Sequence, residues 1–300
     1  MRQLIRSTFS IFGICFLLAL LFAFKTEQQD FPFSDWLVDG KNRKAEITLL
    51  EGQEIQMDNG LIRRSFVLSP NLACFDFTNL MTGEQMLRTV MPEARIILNG
   101  KTYHIGGLSG QEERGFFCKE WLDDMKSSPE DFQYQSYEIG EITTHFPTKT
   151  VFWTGQKKDA SGKKVSFSYI HPDFENLILK VHYEIFDDLP LIGKYLTLEN
   201  TGKESIHIDQ VVNEILGIVE EESAVVGSTE KMKKPHQLYI ENNFAFNNAM
   251  HAELSSQATH WKPDSSYTSQ VNYELRTPSI LEVYPERGIG IDLKPGGNFQ

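Results

Sequence analysis

The segment YEIFDDLPLIGKYLTLENTG, from Tyr183 to Gly202, sets two adjacent carboxylates, Asp187 and Asp188, at a break between two alternating runs. Paired carboxylates are the tools of glycoside hydrolysis, one acting as acid and the other as base or nucleophile. That chemistry requires them to face each other across a substrate, whereas neighbours on an extended chain point apart. Asp-Asp-Leu-Pro is also ordinary turn chemistry, since Asp bonds to its own backbone and Pro presets φ. The pair is therefore read as a turn.

Other chemistry-bearing residues give mostly near misses. GQKKDASGKK, from Gly155, has the wrong glycine spacing for a phosphate loop and is followed by a strand pattern where a helix is required. Ser109 in GGLSGQ lacks the Gly-x-Ser-x-Gly frame of an exposed nucleophile. His104, His182 and His207 lie in strand patterns, His171 precedes Pro172, and no two histidines fall at ligand spacing. No Cys/His grouping suits zinc, so no metal and no cofactor is expected. The residual signal is aromatic. Trp121, Trp153 and Trp261 each sit beside polar residues in less regular segments. Sugars offer apolar C–H faces to such rings and need planar polar partners for their hydroxyls, which makes these three the candidate carbohydrate contacts. Large rings also fill β cores, so both roles stand open.

The chain must supply elements to position such groups. Its 300 residues, 40% of them hydrophobic, can bury a full core. A net charge of −12 argues against a nucleic-acid partner, and the lysine runs at 157–158, 163–164 and 231–234 read as solvated loops. Arg2 and Arg6 precede an apolar run from Phe9 to Phe24, which gives way to KTEQQD. This is the layout of an export signal occupying residues 1–29, with an uncleaved anchor tethering the chain to a membrane through 9–24 as the alternative. Cys15 within it reads as apolar filler. Export places the remaining thiols, Cys74 and Cys118, in an oxidising compartment, where they could form one disulfide.

From Ala45 onward the dominant period is two, which predicts an all-β protein. Leu177, Leu179, Val181, Tyr183 and Ile185 share one face of a strand from Leu177 to Phe186, and Lys180, His182 and Glu184 share the other. Runs at Leu191–Glu199 and Ser205–Val212 follow, predicting a three-stranded antiparallel meander. Asn-Gly in MDNGLI (57–62) and LNGKTYHI (98–105) predicts two hairpins. The stretch CKEWLDDMKSSPEDF reads as a decorating helix or an irregular loop. With no repeat and no linker, residues 30–300 are expected to form one large antiparallel β-sandwich.

The region from about Gln53 to Gln300 resembles the N-terminal β-supersandwich domain of α-galactosidase-like glycoside hydrolases, which has a galactose mutarotase-like fold. NGLIRRSF, ILNGKTYHIGGLSGQ, YEIFDDLPLIGKYLTLENTGKESIHID and YPERGIGIDLKPGGNFQ carry the resemblance. A departure is GEITTHFPTKTVFW from Gly140, where the family tends to have a Gly-Asp-Phe-Arg-like segment. The resemblance implies that the nucleophile and acid/base are aspartates on a downstream (β/α)8 barrel, so no catalytic residue is expected here. It implies a domain truncated at its C-terminal end, with carbohydrate and the barrel as partners and an unpaired edge near Ile289, Ile291 and Leu293 that favours association with itself. The expected function is that of a non-catalytic sandwich of an exported glycoside hydrolase. A free-standing carbohydrate-binding or surface-assembly module is the alternative, and a mutarotase-type epimerase a third.

Overall fold

A computed structural model describes residues 37, 42–51, 53–143, 160–220, 238–243, 257–269, 272 and 274–300. The apolar run from Phe9 to Phe24, Cys15 and Trp153 lie outside the described residues. Within them, the regular elements are strands and two short 3₁₀ turns, Lys119–Asp123 and Pro172–Phe174. No helix of the described residues is long and apolar enough to cross a membrane.

The strands are β1 (Glu46–Leu50), β2 (Glu54–Asp58), β3 (Ile62–Val67), β4 (Ala73–Asn79), β5 (Glu84–Gln85), β6 (Leu87–Thr89), β7 (Ala94–Leu98), β8 (Lys101–Ile105) and β9 (Gln133–Glu141). There follow β10 (Gly162–Ile170), β11 (Leu177–Phe186), β12 (Ile192–Asn200), β13 (Ile206–Val212), β14 (Glu214–Ile218), β15 (Thr259–Pro263), β16 (Pro278–Val283), β17 (Ile291–Leu293) and β18 (Asn298–Phe299). Strands β1 to β5 form one sheet in chain order; the others run β18-β12-β11-β10-β9, β17-β13-β7-β8 and β15-β16-β14-β6. All strand pairs are antiparallel, and the fold is the expected all-β sandwich, within the unit Lys41–Gln300.

Both Asn-Gly hairpins are present. Leu98 pairs with Lys101 across Asn99 and Gly100, whose φ values of 50° and 78° are those a two-residue turn demands. The Asn59-Gly60 turn joins β2 to β3, pairing Asp58 with Arg63. One expectation needs correction. β12 pairs with β11, but β13 leaves for another sheet, between β7 and β17, while β18 takes the other side of β12. Asn200 causes the departure. Its side-chain Oδ1 accepts from the Gly202 amide and its Nδ2 donates to Glu204 O and Leu293 O, making a corner where a hairpin would need the chain to fold back. The C-terminal strands β17 and β18 are accordingly paired on one side, each at the edge of its sheet.

The alternation in β11 sorts as the sequence requires, with Leu177, Leu179, Val181, Tyr183 and Ile185 all in the core. Each such side chain contributes about 1.5–3 kcal/mol of burial. Phe66 packs on Phe167 and Tyr183, ring centroids 5.1 and 4.9 Å apart, joining the β1–β5 sheet to the β10–β11 layer. Among these rings lies a buried ion cluster. The same alternation sends Arg63 outward and Arg64 inward, to a side chain only 2% exposed. Arg64 meets Glu214 in a two-pronged pair at 2.7 and 3.2 Å and donates from Nε to Cys74 Sγ at 3.2 Å. Lys194 donates to Glu214 at 2.7 Å and to the Glu93 carbonyl, and Tyr183 donates its hydroxyl to the Glu93 carboxylate. Two cations thus face two carboxylates. Burial alone would push the Glu214 carboxyl up, but Arg64 and Lys194 outweigh it and hold it below its ordinary value. The adjoining void of about 10 Å³ has room for one water at most, so the cluster is a structural tie.

Cys74 and Cys118 are free thiols, correcting the expected disulfide. Cys74 is buried on the core side of β4, its sulfur already engaged by Arg64, and burial foremost pushes its thiol up to about 12. Cys118 is half-buried and starts the Lys119–Asp123 turn on the opposite side of that sheet.

The acidic turn at 187–188 is a clasp. Asp187 accepts from the Ala45 amide at 2.9 Å and from Lys44 Nζ at 2.7 Å, and Asp188 accepts from the Arg43 amide at 2.6 Å. Asn59 Nδ2 closes it from the other hairpin, donating to Phe186 O and Leu189 O at 2.7 Å each. Partial burial pushes the Asp187 carboxyl up, but the Ala45 amide, Lys44 and Ser161 prevail and hold it at about 2, below the ordinary 3.8. A depressed folded-state value means stability that is full above the ordinary value and lost as pH falls toward 2. Asp187→Asn should therefore flatten the acid limb of a stability-against-pH curve between about pH 4 and 2. An unchanged limb would show the clasp to be inert.

Candidate functional site

The outer face of the β1–β5 sheet carries an open groove of about 380 Å³, lined by Leu50, Glu54, Gln56, Arg63, Ser65, Phe75, Asp76, Gln85, Phe117 and Lys119. Register brings the polar residues together. Gln56 lies opposite Ser65, Ser65 opposite Asp76, Arg63 opposite Thr78, and Thr78 opposite Gln85. A bulge then does what alternation cannot: the β3–β4 register shifts between Ser65 and Phe66, leaving Phe75 without a partner. The neighbours Phe75 and Asp76 consequently both line the groove. Bulges redirect side chains in this way and recur beside functional sites.

Phe117 and Lys119 arrive from the long excursion between β8 and β9. Gln111 pins that excursion, its amide oxygen accepting from the Val90 amide at 3.0 Å and its nitrogen donating to Arg88 O, Glu113 O and Phe116 O. Leu122 and Met125 then bury against Val67, Ala73, Phe75, Val90 and Leu108 in a small core of their own. Gly107 permits the close approach. Its φ is +87°, and a Cβ there would sit 2.7 Å from Pro92 Cα.

Asp76 organises the groove floor. It accepts from Arg63 Nε at 2.6 Å, Gln85 Nε2 at 2.7 Å, Thr78 Oγ1 at 2.6 Å and Ser65 Oγ at 3.3 Å. Gln85 is fixed in turn because its oxygen accepts the Phe77 and Leu87 amides. The hydrogen bond that Arg63 donates to Asp76 raises its guanidinium above its ordinary value, so it stays charged. Asp76 takes only the Nε edge of Arg63, and no protein group among the described residues bonds its Nη donors or the side-chain amide of Gln56. Opposite them, Glu54 is paired with Lys119 at 2.8 Å, and the Lys119 ammonium lies 5.2 Å from the centre of the Phe75 ring. Phe75 and Phe117 are 6.4 Å apart. Both carboxylates in the groove are paired with cations, so neither is presented as a free nucleophile or base. Phe75 is only 7% exposed and belongs to the small core beneath, so Phe117 is the ring with surface to offer, and the arrangement suits a ligand with an apolar face for Phe117 and hydroxyls for Gln56 and Arg63.

The tryptophans fall elsewhere. Trp121 stands behind the groove, its ring 6.4 Å from Phe117 edge-on and 5.3 Å from Phe116. Trp261 lies on β15, opposite Leu281, and packs against the main core. The two are not brought together. The histidines named above are engaged in structure. His171 accepts the Asp173 amide to start the Pro172–Phe174 turn, His182 bridges Ser166 and Thr197 at 2.7 and 2.8 Å, and His207 pairs with Asp292 at 2.6 Å. His104 faces Asp131 at 3.4 Å, and Ser109 is bonded to Lys126 O. Among the described residues no group of His, Cys, Asp and Glu is arranged to hold a metal ion.

Fold and groove define an antiparallel β-sandwich with a polar and aromatic cleft on one sheet. No protein-family model matches the chain, and no curated protein matches it. Among solved structures it is similar to the GH36 α-galactosidase AgaB from Geobacillus stearothermophilus, with a TM-score of 0.36 and 12% identity. The likeness covers 57% of this chain and 25% of that enzyme, so the matched part spans about a quarter of the enzyme's length.

Proposed function

We propose that this chain is the non-catalytic, saccharide-binding sandwich of an exported glycoside-hydrolase-related protein. The observation that carries the binding role is the groove, where the half-buried Phe117 ring, backed by the buried Phe75, stands with two planar polar groups, Gln56 and Arg63, that retain bonding capacity. A pyranose needs this combination, because its C–H face packs on a ring while its hydroxyls seek fixed donors and acceptors. The volume of about 380 Å³ lies at the small end for ligand sites and suits a short saccharide. The link to α-galactosidase-like enzymes, and to a barrel that would supply the catalytic aspartates, rests on the sequence motifs described at the outset.

Titration calorimetry with α-galactosyl oligosaccharides tests the reading. The full chain should bind one with a Kd of about 1 mM, some 4 kcal/mol, without hydrolysing it. Gln56→Ala with Arg63→Ala should abolish the heat. Binding unaffected by that double change would place the site elsewhere, and hydrolysis would contradict the non-catalytic assignment.

A further inference from the structure

Lys119 stands in the groove in a way that a purely structural lysine would not require. Its ammonium is held by two features that together recognise cations, the Glu54 carboxylate at 2.8 Å and the face of Phe75 at 5.2 Å. The two partners are unequal. The Lys119 side chain is 57% exposed and Glu54 only 14%, so the carboxylate and ring are the fixed receptor and the lysine is a tethered occupant. An ion pair with one exposed member is weak and can be exchanged. With the lysine seated, the groove's ions cancel, Arg63 and Lys119 against Asp76 and Glu54.

We propose that Lys119 is a specificity-determining residue: by filling the ammonium position between Glu54 and Phe75 it reserves the groove for neutral saccharides and turns away amino sugars. This rests on the saccharide reading above. Without Lys119, Glu54 keeps its place against the ring but loses its counter-ion, and a protonated 2-amino sugar is the complementary ligand. The lysine thus acts as negative selection against one ligand class, a device by which specificity comes from an occupied or repulsive position as much as from new contacts.

The test is a titration of the full chain, Lys119→Ala, and Lys119→Ala with Glu54→Gln. The probes are the β-1,4-linked glucosamine disaccharide and its N-acetylated counterpart, at about pH 6, where a sugar amine is protonated. The wild type should not favour the amine. Lys119→Ala should favour it by about tenfold, a gain of the size expected for a cation with a ring and a carboxylate. The double variant should lose that preference. An amine-to-acetyl ratio equal in wild type and Lys119→Ala would overturn the proposal while leaving saccharide binding intact. If no protein binds either disaccharide or the α-galactosyl ligands, the saccharide reading itself fails and takes this one with it. Lys119 is exposed, so its removal leaves the fold in place.

Discussion

Arg64→Met is expected to lower the unfolding free energy by about 3–5 kcal/mol, the range for breaking a buried ion cluster from one side. The methionine fills much of the volume, so the loss is electrostatic. Glu214 would keep Lys194 alone, and the Tyr183–Glu93 pair would lose the positive charge 3.8 Å from the Glu93 carboxylate. Removing Arg64 should also let the Glu214 carboxyl rise, because burial then meets one cation where it met two. An exposed pair supplies the comparison. Lys163 and Glu141 face each other across β10 and β9 with side chains 39% and 72% exposed, and Lys163→Ala should change stability by less than about 1 kcal/mol. Urea denaturation of both variants measures the contrast. Equal, small losses would mean that the Arg64 cluster is not the tie described.

Asp76→Ala should have the second-largest effect, acting on stability and on the groove together. It leaves donors on Arg63, Gln85, Thr78 and Ser65 without their shared acceptor. One orphaned buried donor costs about 1–3 kcal/mol, and because these four act as a unit about 3 kcal/mol in all is expected. With Arg63 no longer held at its Nε edge, saccharide affinity should fall at least about tenfold. Asp76→Asn keeps an acceptor and should retain much of the stability while losing the charge-assisted bond to Arg63. If Asp76→Ala melts like the wild type and binds equally well, the floor of the groove has been misassigned.

The sequence reveals the groove only in part. Asn59-Gly60 fixes the β2–β3 register, and from it the outward set Glu54, Gln56, Arg63 and Ser65 follows by counting in twos, as does the inward turn of Arg64. That signal is present in GQEIQMDNGLIRRSF, whereas the tryptophans point to Trp121, Trp153 and Trp261, of which Trp121 packs behind the groove, Trp261 packs on the core and Trp153 lies outside the described residues. Two contributions were not legible. The bulge that turns Phe75 onto the face of Asp76 leaves no mark in a period-two pattern, and Phe117 and Lys119 reach the groove through contacts distant in sequence. The turn at Asp187-Asp188 was legible as a turn, but its grip on residues 43–45 is a tertiary fact. The β13 crossover was hidden for a similar reason, since Thr-Gly marks a change of direction without saying which sheet receives the next strand.

The most direct test of the central claim is to map where a bound α-galactosyl oligosaccharide perturbs the amide resonances of the full chain. The account predicts the largest shifts at Gln56, Arg63, Ser65, Phe75 and Phe117, with little change at Trp261 on β15. Shifts centred on Trp261, or none at saccharide concentrations well above about 1 mM, would contradict it.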